Sequence, residues 1–184
     1  MRYASIRNMD ISNGEFCGVS LFVQGCDIIP HCKGCFNSDT SDFNGGKEWT
    51  KEIEEHFLNL IDRPYIKRVS ILGGEPLAIK NINDICHLIL KIKDRFPDKI
   101  IWLYTGYEAD SFFNIDIDNE HESMSEFMTK CLRKSTASLV DVLVEGPYIE
   151  KLKDQHLNYR GSSNQRVIDV QETLKQDKIV LYCD

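Results

Sequence analysis

The sequence predicts an α/β protein whose mainly parallel sheet is covered by helices, and three observations lead there. Short β-rich runs alternate with stretches whose apolar residues recur at helical spacing. Glycine-bearing turns join them, which favours strand, turn, helix units over hairpins. At 184 residues, with 42% hydrophobic and 28% charged residues, the chain suits a single domain, residues 1–184, around one core.

Cys17 to Val23, CGVSLFV, reads as a strand that passes through Gln24-Gly25 directly into the first of three clustered cysteines. After Gly45-Gly46, the residues Trp49, Ile53, Phe57, Leu60 and Ile61 mark an amphipathic helix, which Pro64 prevents from continuing. Lys67 to Leu72 is a strand closed by Gly73-Gly74. Ile82, Ile85, Cys86, Ile89, Ile92 and Phe96 then form one helix face. Lys99 to Tyr104 is a further strand ending in Thr105-Gly106, and the acidic, poorly patterned segment from Tyr107 to Glu122 reads as a surface insertion. Ser123 to Lys134 forms a helix with Met124, Phe127, Met128 and Cys131 inward. Leu139 to Val144 is apolar enough for a strand buried on both faces. Arg166 to Val170 and Lys178 to Tyr182 supply two more short strands.

In parallel sheets ligands gather where strands end. The cysteine loop, Gly73-Gly74-Glu75-Pro76, Thr105-Gly106 and Glu145-Gly146-Pro147 all follow strands, so all four can meet on one rim. Composition narrows the ligand. A formal net charge of -7 without a long Lys/Arg run argues against nucleic acid. Met1 to Asp10 lacks the apolar region of an export signal, and neither Ile85 to Ile92 nor Ile100 to Tyr104 is long enough to span a bilayer. The expectation is a cytoplasmic protein with no membrane contact.

Seven cysteines are many for such a chain, and clustered thiols in a reducing compartment point to metal or redox chemistry. Cys26, Cys32 and Cys35 are spaced C-x5-C-x2-C. Three thiolates on a four-iron cluster leave one iron open to a substrate, whereas ferredoxins close all four positions. A zinc site completed by His31 or Cys17 is the competing reading. Cys86 reads as core, and Cys131 and Cys183 carry no assigned role.

The motifs VQGCDIIPHCKGCFN, ILGGEPL, IWLYTGY, DVLVEGPY and RGSSNQRVIDV, in this order from about Arg2 to about Val170, resemble the anaerobic ribonucleoside-triphosphate reductase activating family. These are radical S-adenosylmethionine enzymes. The resemblance implies a partial (β/α) barrel of the radical S-adenosylmethionine type. It also implies a [4Fe-4S] cluster on Cys26, Cys32 and Cys35 whose open iron is chelated by S-adenosyl-L-methionine. Reductive cleavage gives methionine and a 5'-deoxyadenosyl radical, which takes a hydrogen from a glycine of the anaerobic ribonucleoside-triphosphate reductase, the protein substrate. A reduced flavodoxin- or ferredoxin-type protein is the implied electron donor. One departure stands out: the family spaces its cysteines C-x3-C-x2-C, and the interval from Asp27 to His31 is longer by two residues.

On the resemblance, Gly73, Gly74, Glu75 and Pro76 line the site for the methionine amino group, although glycines ending a strand and a proline opening the next turn also explain the segment. Thr105 and Glu145 are turn residues first and cofactor neighbours second. Phe36 shields the cluster, stacks near adenine, or is simple core. The donors of Arg160 to Arg166 hold a carboxylate or ribose, meet the partner, or form an exposed loop. Two alternatives remain beside this reading: an activase of another glycyl-radical enzyme, such as pyruvate formate-lyase, and a non-catalytic zinc or iron-sulfur module.

Overall fold

A computed structural model describes residues 1–114 and 123–183. Its strands are β1 (Arg2–Asp10), β2 (Gly18–Val23), β3 (Lys47–Glu48), β4 (Arg68–Gly73), β5 (Ile100–Tyr104), β6 (Val142–Glu145), β7 (Arg166–Asp169) and β8 (Leu181–Cys183). They form one sheet in the order β3-β1-β2-β4-β5-β6-β7-β8. The helices are α1 (Lys51–Ile61), α2 (Ile82–Arg95), α3 (Asp110–Phe113), α4 (Met124–Ala137) and α5 (Val170–Gln176).

The sheet is mixed, which corrects the expectation of a mainly parallel one. The pairs β2-β4, β4-β5 and β5-β6 are parallel. The flanking pairs β1-β2, β1-β3, β6-β7 and β7-β8 are antiparallel. Crossovers that contain a helix return the chain parallel, and they occur only between β2 and β6. Outside that stretch the chain turns back beside the strand it has just left, even across the short α5 between β7 and β8, and the pairs are antiparallel. Residues 2–10 show no alternation that marks a strand, and only Tyr3 and Asp10 of β1 are buried. This strand exists because β2 supplies a ladder partner distant from any local signal.

Side chains alternate between the two faces of the sheet. Val19, Leu21 and Val23 of β2, Val69 and Ile71 of β4, and Ile101 and Leu103 of β5 pack with Phe57, Ile61, Ile85 and Ile89 of α1 and α2 in the main core. Trp102, Val142, Val144 and Val167 form a second cluster on the alternate positions. The helices therefore cover one face, and loops and a cavity occupy the other.

Three local expectations change. Met124 and Met128, expected inward, are exposed, and the fully buried residues of α4 are Thr136 and Ala137. Cys86 is half-buried rather than core. In the segment read as an insertion, Phe112 and Phe113 are buried, while 115–122 lies outside the described residues.

Below the cavity, Arg68 is completely buried and organises the connection from β1 to β2. Its guanidinium donates to the carbonyl oxygens of Glu15 (2.9 Å), Asn13 (2.6 Å) and Asp10 (2.8 Å). Asp10 carries the compensating charge, with its Oδ1 3.4 Å from Arg68. Burial opposes ionisation of Asp10, but the amides of Asn13 and Ser12 outweigh it and hold the carboxyl well below the usual range.

Candidate functional site

The cysteine loop leaves β2 through Gln24-Gly25 and folds back on itself. Gln24 is buried and its Nε2 donates to the carbonyl of Asp42 at 2.8 Å. The Gly25 amide donates to Thr40 (2.7 Å) and that of Cys26 to Ser41 (2.9 Å). Residues after the third cysteine thus brace the first. A tight turn joins the other two, with the Cys35 amide 3.2 Å from the Cys32 carbonyl oxygen.

Two buried side chains lock this loop to the neighbouring strand ends. The Asn81 amide donates to the carbonyl oxygens of Glu75 (3.0 Å) and Gln24 (3.1 Å). Glu75, 1% exposed, accepts from the Leu77 amide, the Thr105 hydroxyl and the Gly106 amide, each at 2.8 Å. The turns after β2, β4 and β5 are consequently one hydrogen-bonded unit. Gly74 makes the approach possible: a Cβ there would overlap the Gly25 carbonyl and lie 2.8 Å from the Thr40 oxygen.

Cys26, Cys32 and Cys35 all open into one cavity of about 660 Å³. Gly73, Gly74, Glu75, Thr105 and Phe36 line it as well, so the predicted rim does converge. Pro76 and Glu145 do not line it. Glu145 follows the alternation of β6 to the helix-covered face, where it accepts from the Ala109 amide at 2.8 Å and pairs with Arg166 at 2.5 Å. The structure places it as a brace between β6, β7 and the start of α3. Phe36 is 65% exposed and is not core. It sits 5.0 Å from the Tyr148 ring, as part of the cavity wall. In the 160–166 segment, Arg160, Gly161 and Gln165 reach the cavity. The Gln165 side chain is already committed to the Gly161 amide and the Gly146 carbonyl.

Burial opposes ionisation of two of the three thiols. Burial pushes Cys26 up to about 11, with Glu75, Asp27 and Cys32 adding repulsion against the favourable Ile28 amide. Burial also raises Cys32, helped by Cys35 and opposed by the Tyr148 amide. Iron binding here must therefore displace protons, as thiolate coordination does generally.

The donor set fits a cluster better than a single ion. Among the described residues no three His, Cys, Asp or Glu side chains group around one metal position. Three thiols that line one cavity suit ligands that each hold a different iron. The zinc alternatives fit poorly: His31 is exposed and does not line the cavity. Cys17 precedes the opposite end of β2, roughly 20 Å away along six strand residues.

Sequence reasoning missed Asn81, Gln24, Asp27 and Tyr107. Asn81 sits beside the predicted α2 face and carries no motif signal. Its role arises from carbonyls far away in sequence.

The family model of a 4Fe-4S single cluster domain matches residues 12–168. The anaerobic ribonucleoside-triphosphate reductase-activating protein of Escherichia coli (strain K12) is 35% identical over 169 residues, covering 91% of this chain and 97% of that protein. The protein of that name from Vibrio cholerae is 32% identical over 167 residues, covering 90% and 96%. The one from Enterobacteria phage T4 is 32% identical over 167 residues, covering 91% and 93%.

Proposed function

Because the chain belongs to the 4Fe-4S single cluster domain family and to the anaerobic ribonucleoside-triphosphate reductase-activating proteins, we propose that it generates the glycyl radical of such a reductase. The observation that carries the reading is the convergence of Cys26, Cys32 and Cys35 with Gly73 and Gly74 on one cavity.

Cys26, Cys32 and Cys35 would hold a [4Fe-4S] cluster. When bound, cluster and S-adenosyl-L-methionine together supply one-electron cleavage of the sulfonium, yielding methionine and a 5'-deoxyadenosyl radical. The chain's contribution is placement and exclusion of water. Gly73 and Gly74 present backbone without side chains beside the thiols, suiting close approach of a small amino acid moiety. Glu75 acts through the turns it joins, because its carboxylate is saturated by three internal donors. Phe36 and Tyr148 form an aromatic wall suited to stacking. The exposed loop around Lys33 leaves the thiols near the surface, in keeping with reduction by a flavodoxin- or ferredoxin-type donor.

The parallel core β2-β4-β5-β6, with helices on one face and the cavity on the other, supports reading the fold as a partial (β/α) barrel in a single domain. No helix among the described residues is long and apolar enough to cross a membrane. We assign the protein to the cytoplasm, where its reductase partner would be met.

The test is anaerobic reconstitution with iron and sulfide, reduction, and addition of S-adenosyl-L-methionine, with the reductase present in a parallel sample. Formation of 5'-deoxyadenosine and a glycyl radical signal in spin resonance is expected. Cys26→Ala, Cys32→Ala and Cys35→Ala each abolish cleavage, while Cys131→Ala does not. Stoichiometric zinc without cleavage would overturn the proposal.

A further inference from the structure

The long first interval of the cysteine loop needs an anchor that the short form does not. Among the described residues, no backbone hydrogen bond to another backbone group ties down Ile28 to His31. Left free, the five residues between Cys26 and Cys32 would retain conformational entropy that cluster binding must remove. Beside the Ile28 amide's bond to the Cys26 sulfur, two contacts tie this interval to the neighbouring turns. Ile28 packs against Gly106, where an added Cβ would lie 2.5 Å from its Cδ1. The Asp27 carboxylate is gripped at both oxygens, accepting from the Tyr107 hydroxyl at 2.5 Å and from the Ile79 amide at 3.3 Å.

Tyr107 is itself fixed from two sides. Its amide donates to the Thr105 hydroxyl at 3.1 Å, which ties it to the Glu75 unit. On its ring face lies the Arg133 guanidinium, 3.5 Å from the centroid. Arg133 in turn donates to the Leu77 carbonyl at 3.2 Å, so α4 is fastened to the turn after β4 through the same residue. The phenol therefore meets Asp27 in a preset position, and little ordering cost remains when the bond forms.

We infer that Asp27, Tyr107 and Arg133 form a clamp on the extended interval after Cys26, making Tyr107 a positioning residue for the cluster. This rests on the proposed cluster-binding role of Cys26, Cys32 and Cys35. The clamp compensates for the two additional residues: the side chain next to the first ligand is tied to the β5 turn, so the loop gains length without losing its ligand geometry. Tyr107 itself does not line the cavity.

The experiment uses the full chain, reconstituted anaerobically, and measures iron and sulfide per chain together with the rate of iron loss to a chelator. Tyr107→Phe removes only the hydroxyl. It is expected to load a cluster and to lose iron about tenfold faster than the natural chain, equivalent to about 1.4 kcal/mol. Asp27→Ala, which also gives up the Ile79 amide, should lose iron at least as fast as Tyr107→Phe, and the double variant should be no worse than Asp27→Ala alone, because the Tyr107–Asp27 bond is shared. Asp27→Asn, which keeps an acceptor oxygen for the phenol, should recover most of the retention. Thermal unfolding of the metal-free variants separates loop positioning from general stability. Lowered melting with unchanged iron loss in both Tyr107→Phe and Asp27→Ala overturns the clamp, as does additivity in the double variant. If the natural chain takes up no cluster, or Cys26→Ala takes up as much iron as the natural chain, the underlying functional reading fails instead.

Discussion

Replacing Glu75 by Gln tests how strongly the centre of the rim is governed by a buried charge. Burial pushes this carboxyl up to about 7 from its ordinary 4.5, against the lowering effect of the Gly106 and Leu77 amides and the Thr105 hydroxyl. A raised carboxyl means that the folded chain holds the proton more tightly than the unfolded chain. The stabilisation is thus complete below pH 4.5 and is lost as pH rises through about 7. The difference corresponds to about 3 kcal/mol. Gln cannot ionise, but its NH2 group opposes one of three donors, leaving one amide without a partner at a cost of about 1 to 3 kcal/mol. Urea unfolding of the metal-free chain at steps from pH 5 to 8 should therefore find Glu75→Gln the less stable protein at pH 5. Its deficit should shrink or reverse by pH 8. Asp27, Cys26, Cys32 and Tyr107 surround the carboxyl, and Cys26, at about 11, titrates well outside this window. Parallel pH profiles for the two proteins would refute the claim that burial controls Glu75.

Asp10→Ala leaves the wholly buried Arg68 without its counter-charge and should cost about 3 to 5 kcal/mol, measured by denaturant unfolding. Because the Asp10 carboxyl is depressed, its contribution is present above about pH 4 and disappears as pH falls further; Asp10→Asn should flatten the acid limb of the unfolding profile. Gly74→Ala forces its methyl into the Gly25 carbonyl, so the cysteine loop must move; a loss of about 1 to 3 kcal/mol and sharply reduced iron uptake are expected from unfolding and metal analysis. Glu145→Gln weakens the brace to Arg166 away from the cavity, and should lower thermal stability while leaving iron content per chain unchanged.

How much was legible depends on whether the signal was local. The strands β2, β4 and β5 and the helices α1 and α2 follow from runs of apolar residues whose periodicity is visible within a dozen positions. The cysteines and the Gly73-Gly74 turn stand out because few roles demand those residue types at that spacing. In contrast, β1 is half-exposed and carries little pattern, so only pairing with β2 reveals it. Met124 and Met128 fit a helix but not the inferred face, since an amphipathic pattern does not state which neighbour, if any, covers it.

Residue type and spacing, read along the chain, determined the chemistry: three thiols in one loop, glycines after a strand, and apolar runs sufficient for an α/β core. Tertiary structure alone decided which polar side chains serve the cavity and which brace the scaffold. Glu75 and Glu145 both end or follow an apolar strand, yet one joins the rim turns beside the thiols and the other faces the helices with Arg166. The reason is geometric. A strand sends successive side chains to opposite faces, and most of the hydrogen-bond partners that fix these buried carboxylates come from chain segments about twenty to thirty residues or more away, at distances only the folded backbone sets.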